Sequence, residues 1–298
     1  MRTALPTLIW VAAAVVAIAS FASSADVTGL AWNQSNIAAL RLLDKPGIAG
    51  LVNSLADRQA MTGIREADIG EFTWADLAAD GTYQLVVTED TGRRFYNSLV
   101  LYDRDSAGKL HTQQINGWHI DNLKRVIRDL NGDGKDELII PTPQFCATYR
   151  GVGAIPTWPA VSRLENGHYV EASRDFPDFY ENEVLPGLAK QIAAPRSGQP
   201  RVWLVMERDQ VLRMLGRNPT AGLRASYQWM NSGDPELRTD AAVELGALGG
   251  HDKELRALAA DKNLDVALAA RFAMQPGTCS AQRINRWRSG TILNSAPN

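Results

Sequence analysis

Asp129, Asn131 and Asp133 stand at alternate positions of one short polar run, Asp129-Leu130-Asn131-Gly132-Asp133-Gly134-Lys135-Asp136-Glu137, and each carries a side-chain oxygen. Alternate spacing lets such oxygens turn inward together, and a set of hard oxygens suits a hard cation, Ca2+ above all, at about 2.3–2.6 Å. Gly134 at the sixth place tolerates the sharp turn, Lys135 offers its backbone carbonyl at the seventh, and Glu137 at the ninth completes the expected shell. Left without a cation, the carboxylates of Asp129, Asp133 and Glu137 would repel one another, so the metal is expected to stabilise the fold that binds it.

Few other residues are spaced for chemistry. The chain has no nucleophile elbow, no HExxH and no phosphate loop ending in Lys-Ser or Lys-Thr, and Gly151-x-Gly153 lacks the third glycine of a dinucleotide fingerprint. His111, His119, His168 and His251 are scattered and read as surface or strand residues. Asp175, Asp178, Glu181 and Glu183 form an acidic stretch that could pair carboxylates for hydrolysis, but it reads more simply as a solvated helix face. No catalytic residue is therefore expected. The run Tyr149–Pro159 concentrates glycine, proline, aromatics and one arginine just after the polar turn, as a binding loop on a rigid scaffold would. Tyr149, Arg150 and Trp158 are its candidate ligand contacts, with Trp158 and Pro159 equally able to cover a sheet edge or fill a core. Cys146 and Cys279 are the two cysteines, an even count that predicts one disulfide in an oxidising compartment; neither has a second Cys or a His at zinc spacing.

Hydrophobic periodicity shows what positions these residues. Within an N-terminal segment, residues 26–70, Ile37 and Leu40, then Ile48, Leu51, Val52 and Leu55 beyond Pro46-Gly47, fall at helical spacing and predict a broken helix or helical pair. Residues 71–175 hold short β-rich runs: Tyr83–Thr88, Ser98–Tyr102, Leu110–Ile115, Val126–Leu130, Glu137–Pro141, Ala160–Leu164 and Tyr169–Glu171, which predict antiparallel strands. Inside this region Asp76-Leu77-Ala78-Ala79-Asp80-Gly81 and the residues to Val87 align without gaps on Asp129 to Ile140, an offset of 53 residues. Each copy is expected to be a four-stranded unit of propeller-blade kind. In the first copy Asp76 and Asp80 persist while Ala78 and Gln84 replace two ligands, so that copy is degenerate for metal. From 176 to 275 the period turns helical. The clearest helix has Asp234 as N-cap and Pro235 in its first position, sets Leu237, Ala241, Leu245 and Leu248 on one face, and stops at Gly249-Gly250; further helices follow His251 and Asn263. The tail, 276–298, carries Arg283, Arg286 and Arg288 without an acidic residue and reads as a solvated terminus. The expected fold class is α+β: a small antiparallel, propeller-blade-like β unit of two four-stranded repeats, followed by an α-helical repeat-like domain.

The stretch Val126-Ile127-Arg128-Asp129-Leu130-Asn131-Gly132-Asp133-Gly134-Lys135-Asp136-Glu137-Leu138-Ile139-Ile140 resembles the FG-GAP or VCBS-type repeat. It is not an EF-hand, because Ile140 occupies the twelfth place where that motif needs Glu. The resemblance implies a module exported from the cell, with calcium between the first two strands of a blade and a part in adhesion or ligand binding. The family's ninth position is usually Asp, and Glu137 is a longer substitute. Two blades are too few to close a ring. A second stretch, Asn218 to Met274, resembles HEAT-type helical repeats through Asp234-Pro235-Glu236-Leu237-Arg238-Thr239-Asp240-Ala241-Ala242 and Leu245-Gly246-Ala247-Leu248-Gly249, which implies short stacked helices.

Composition bounds the rest. With 298 residues, 45% hydrophobic and 21% charged, the chain can bury a sizeable core. Lys and Arg number 31 against 33 Asp and Glu, with no basic block, so nucleic acid is not an expected partner. Met1–Ala25 has Arg2 as its single charge, an apolar run from Leu8 to Ala19 and small residues at Ser20, Ala22, Ser23 and Ala25, the order of a secretory signal peptide cleaved after Ala25. Its apolar run is short for a hydrocarbon core, so no integral membrane insertion is expected after cleavage. These readings converge on a periplasmic or secreted calcium-binding protein that contacts a protein or glycan of the envelope or extracellular space. The alternative is an envelope hydrolase acting on cell-wall polymer or polysaccharide.

Overall fold

The structure is a computed structural model and describes residues 27–56, 64–93, 96–118, 120–143, 157–194 and 199–275. Helix α1 (Ile37–Leu40) is followed by α2 (Lys45–Leu55), which starts where Asp44 Oδ1 accepts the Gly47 N–H at 3.0 Å. Pro46 lies in that first turn, where its missing N–H would have had no partner, so the Pro46-Gly47 pair opens a helix and the break comes before it.

The fold is α+β with two four-stranded antiparallel sheets. Strands β1 (Ile69–Ala75), β2 (Gln84–Arg93), β3 (Tyr96–Arg104) and β4 (Leu110–Trp118) form one sheet in that order. After a single helical turn, α3 (Leu123–Val126), strands β5 (Ile127–Arg128), β6 (Glu137–Pro143), β7 (Thr157–Glu165) and β8 (His168–Glu171) form the second. Strand β1 escaped the sequence reading because its inward residues do not alternate cleanly: a register shift separates Ile69 from Phe72. Strand β5 is two residues where five were expected, since Val126 closes α3, whose cap is Asn122, and Asp129 already begins a turn. Thr157, Trp158 and Pro159 belong to β7, paired with Pro143, Thr142 and Pro141, so the expected loop stops short of them. Asn166 and Gly167, with φ 51° and 80°, make the tight turn into β8.

Contacts divide the described chain into two compact units, the first running to Asn116 and including Ile120–Asp136, the second holding Gly117 and Trp118 together with the chain from Glu137 on. The expected division at 175/176 is not the one seen, and the cores show why. In the first unit Trp32, Leu40 and Leu51 pack with Trp74, Leu85, Val87 and Tyr102, so the N-terminal helices cover the first sheet. Trp32 meets Trp74 edge to face at 4.9 Å. In the second unit, residues Pro177–Phe179 and a π turn, Tyr180–Val184, lead into α4 (Leu185–Ala193), then α5 (Gln199–Met214), α6 (Thr220–Trp229), α7 (Pro235–Leu248), α8 (Asp252–Ala259) and α9 (Leu264–Ala273). Helix α5 packs on β7, while α7 lies against α6 and α9. Asp234 caps α7 by accepting the Glu236 N–H at 2.9 Å, and Gly249, at φ 71°, ends it. Asn263 caps α9 through the N–H groups of Asp265 and Val266. Val202, Met206, Ala241, Leu245, Leu258, Val266 and Ala270 form the helical core, with alanines that let the backbones approach.

The expected leader Met1–Ala25, the tail 276–298, both cysteines of the expected disulfide and the candidate contacts Tyr149 and Arg150 lie outside the described residues. Among the described residues, no helix is long and apolar enough to cross a membrane.

Candidate functional site

Asp129 organises a tight turn between β5 and β6. Its Oδ1 accepts the Gly132 N–H at 2.7 Å and its Oδ2 the Gly134 N–H at 3.0 Å. Both glycines have positive φ, 76° and 84°, which a side chain would strain. Asn131 Oδ1 accepts the Asp133 N–H at 3.0 Å, Asp133 Oδ1 accepts the Lys135 N–H at 2.8 Å, and Asn131 Nδ2 donates to Asp133 Oδ2 at 3.1 Å. The structure thus gathers Asp129, Asn131, Asp133 and Lys135 into one turn. Glu137 starts β6 in the second unit and is 1% exposed.

A second polar turn lies beside the first. Asp76 accepts the N–H groups of Asp80 (Oδ1, 3.0 Å) and Gly81 (Oδ2, 2.9 Å), and Asp80 Oδ1 accepts that of Thr82 at 2.8 Å. The bonds to Gly81 and Thr82 fall at the places of those to Gly134 and Lys135 in the gapless alignment. Ala79 and Gly81 have φ of 54° and 83°, in the places of Gly132 and Gly134. Ala78 offers no oxygen where Asn131 does, and Gln84 Oε1 accepts the Leu77 N–H at 3.1 Å. The two turns are joined by the Asp136 N–H, which donates to the Leu77 carbonyl at 3.0 Å. Burial pushes the Asp136 carboxyl above its ordinary value, and the carboxylates of Asp129 and Asp76 add to the effect.

This is hard-oxygen chemistry in a crowded anionic place. A carboxylate oxygen that accepts one N–H keeps a further lone pair, so the turn's own bonds leave Asp129 and Asp133 able to ligate. Among the described residues, no three His, Cys, Asp or Glu side chains are grouped to hold a metal, and a cation here would draw on the Asn131 amide and the Lys135 carbonyl as well.

The other expected sites are not brought together. Trp158 is 4% exposed, stacks on Tyr180 at 6.2 Å and lies beside Pro159, whose carbonyl accepts the Tyr180 hydroxyl at 2.7 Å. That corrects its reading as a ligand contact: an indole closed in on the core side of a strand presents no face to a sugar or peptide. His111 pairs with Asp105 at 2.9 Å in the first unit, and its hydrogen bond holds the Asp105 carboxyl below the usual carboxylate range. Glu181 bonds to Arg217, Asp175 lies 3.1 Å from Arg163, and Asp178 is exposed. An open groove of about 790 Å³ in the first unit is bordered by Lys45, Glu71, Phe72, Leu123 and Lys124. Its polar groups serve the fold, since Lys45 Nζ donates to the Ile69 carbonyl at 2.8 Å and Glu71 Oε2 accepts the Leu123 N–H at 3.0 Å.

What the sequence reading missed is a buried ionic cluster in the helices. Asp209, Asp240 and Glu244 are each 0% exposed. Arg208 donates to Asp209 Oδ1 through Nε at 3.0 Å and Nη2 at 2.8 Å, and Arg213 Nη1 donates to Glu244 Oε1 at 2.7 Å. Asp209 Oδ2 and Glu244 Oε2 are buried without a hydrogen-bond partner. Burial, then Glu244, pushes the Asp209 carboxyl up to about 6, and burial pushes Glu207 up to about 7. A signal existed: Asp240 stands three residues after Leu237 and Glu244 four before Leu248, with four between the two acids, so both fall on the apolar stripe of α7. Comparison with models of protein families, with curated proteins and with solved structures finds no match.

Proposed function

We propose that this chain is an exported calcium-binding interaction protein, whose first unit is fixed by one cation in the Asp129 turn and whose partner is a protein or glycan of the envelope or extracellular space. The observation that carries this reading is the turn itself, where Asp129, Asn131 and Asp133 at alternate positions share one hydrogen-bonded loop with Gly132 and Gly134. The side chains of those three residues and the Lys135 carbonyl would hold the ion, which neutralises the anionic crowding around Asp136. Glu137, counted as a ligand from the sequence, lies across the unit boundary, so the set is proposed from the first unit's groups.

The paired turns also support a reading of β1–β4 and β5–β8 as two blade-like repeats of FG-GAP or VCBS kind, the first degenerate because Ala78 stands in place of a ligand. The alanine-lined helices α7 to α9, two of them capped by Asp234 and Asn263, support a HEAT-like stack as the surface for the partner. Isothermal titration of chelator-stripped protein with calcium tests the site. One binding event is expected, lost in Asp133→Ala; no heat of binding in the native protein, or unchanged affinity in the variant, overturns the proposal and leaves the turn held by its own hydrogen bonds.

A further inference from the structure

The buried cluster of the second unit combines two features that ordinary packing avoids. Asp209 Oδ2 has no hydrogen-bond partner although the residue is 0% exposed, and it sits where a Cβ on Gly222 would be, 1.4 Å from that position. Glu244, also 0% exposed, leaves its Oε2 equally without a donor. A carboxylate oxygen in that state has lost water and gained nothing in exchange, whereas a carboxylic acid loses far less.

We infer that Asp209 is a proton-operated latch: protonated, it lets α5 pack closely on α6 and α7, and ionised, it loosens that packing. The groups around it set the balance. On its own helix Arg208 and Arg213 favour the ionised form, while Glu244 opposes it from α7. Glu207, two residues earlier on α5, has a raised carboxyl of its own. On α7 Asp240 is buried as well, and Arg238 is tied to Asp261 at 2.7 Å. Helix α6 brings Gly222 and an exposed Arg224, and Tyr227 there bonds outward to Glu254. On α4 Lys190 is exposed, and on β7 Arg163 is occupied by Glu165 and Asp175. The first turn of α6 would favour an anion, but no N–H of that turn reaches Oδ2.

The sign follows from linkage. A carboxyl whose folded value lies above its unfolded one gives the closed state an extra proton to bind, so closure is strongest in acid and weakens as pH rises through about 6. Taking the ordinary carboxyl value for the opened state, opening should be roughly tenfold more frequent at about pH 7.5 than at about pH 5.

Hydrogen exchange of the full chain at those two pH values, expressed as protection factors for amides in α5, α6 and α7, tests this against Asp209→Asn, which mimics the neutral acid. The expected result is a roughly tenfold loss of protection in the wild type at the higher pH that the variant does not share. An equal pH response in both proteins overturns the latch. Should the variant fail to fold, the carbon-13 titration of the Asp209 carboxyl in the wild type decides instead. A midpoint near 6 with a coincident loss of protection supports the latch, and a midpoint in the ordinary carboxylate range refutes it.

Discussion

Replacing Gly222 by alanine sets two effects of opposite sign against each other. Gly222 lies in the first turn of α6, and helix propensity alone says alanine should stabilise by at most about 1 kcal/mol. The added methyl would stand 1.4 Å from Asp209 Oδ2 and 2.6 Å from its Cγ, so the whole carboxyl group must move, not one oxygen. Moving it breaks the bonds from Arg208 at 2.8 and 3.0 Å, worth about 1.5–3 kcal/mol for a charged acceptor. Shifting α6 instead overpacks the core at about 1–3 kcal/mol, and the Ser226 hydroxyl bond to the Gly222 carbonyl at 2.9 Å anchors that turn. The steric effect wins, and Gly222→Ala should destabilise by about 1–2 kcal/mol. Urea denaturation followed by far-ultraviolet circular dichroism, whose helical signal comes largely from α4–α9, measures it. In an Asp209→Ala background, where the clashing oxygens are gone, the same substitution should be neutral or stabilising. A Gly222→Ala protein as stable as the wild type, with Asp209 present, would refute the reasoning.

Trp158→Ala should lower stability by about 3–5 kcal/mol, because it empties a site that is 4% exposed and removes the stack on Tyr180. An unchanged melting temperature would show that the indole is not core. Glu207→Gln should be neutral at about pH 4 and stabilising by about 1 kcal/mol at about pH 8, since a raised carboxyl weakens the fold as pH rises through about 7 and partial exposure screens part of that effect. Denaturant midpoints at the two pH values check it, and a gain confined to acid would reverse the sign and sink the assignment.

Much of the local architecture was legible because single residues announce it. Asp234 with Pro235, Gly249 at the far end, and Asn263 ahead of Val266 each mark a helix boundary through one backbone requirement, and each stands where it was expected. The β runs around Leu85, Leu99 and Leu138 were legible for the same reason, as short apolar segments between turn residues. The partition into units was not. A strand's sequence states that one of its faces is buried but not what covers it, and β6 to β8 lie with helices that begin some way further along the chain. Trp158 shows the same limit on a single side chain, since a large aromatic after a Gly- and Pro-rich run has the composition of a binding loop whether the strand begins before it or after it.

The buried acids were hidden by a different cause. A hydrophobic pattern sorts residues into two classes and assigns every carboxylate to solvent, so Asp240 and Glu244 drop out of the helical face that Ala241 and Leu245 define. Yet the i, i+3, i+4 spacing from Leu237 to Leu248 runs through both acids, and only tertiary packing decides whether a guanidinium arrives to meet them. Arg213 meets Glu244 on one oxygen, while Asp209, held by Arg208 on one side, is left with the other oxygen against Gly222. A glycine in the first turn of α6 therefore has its reason in a residue thirteen positions earlier, and a proton on Asp209 has its reason in the same contact.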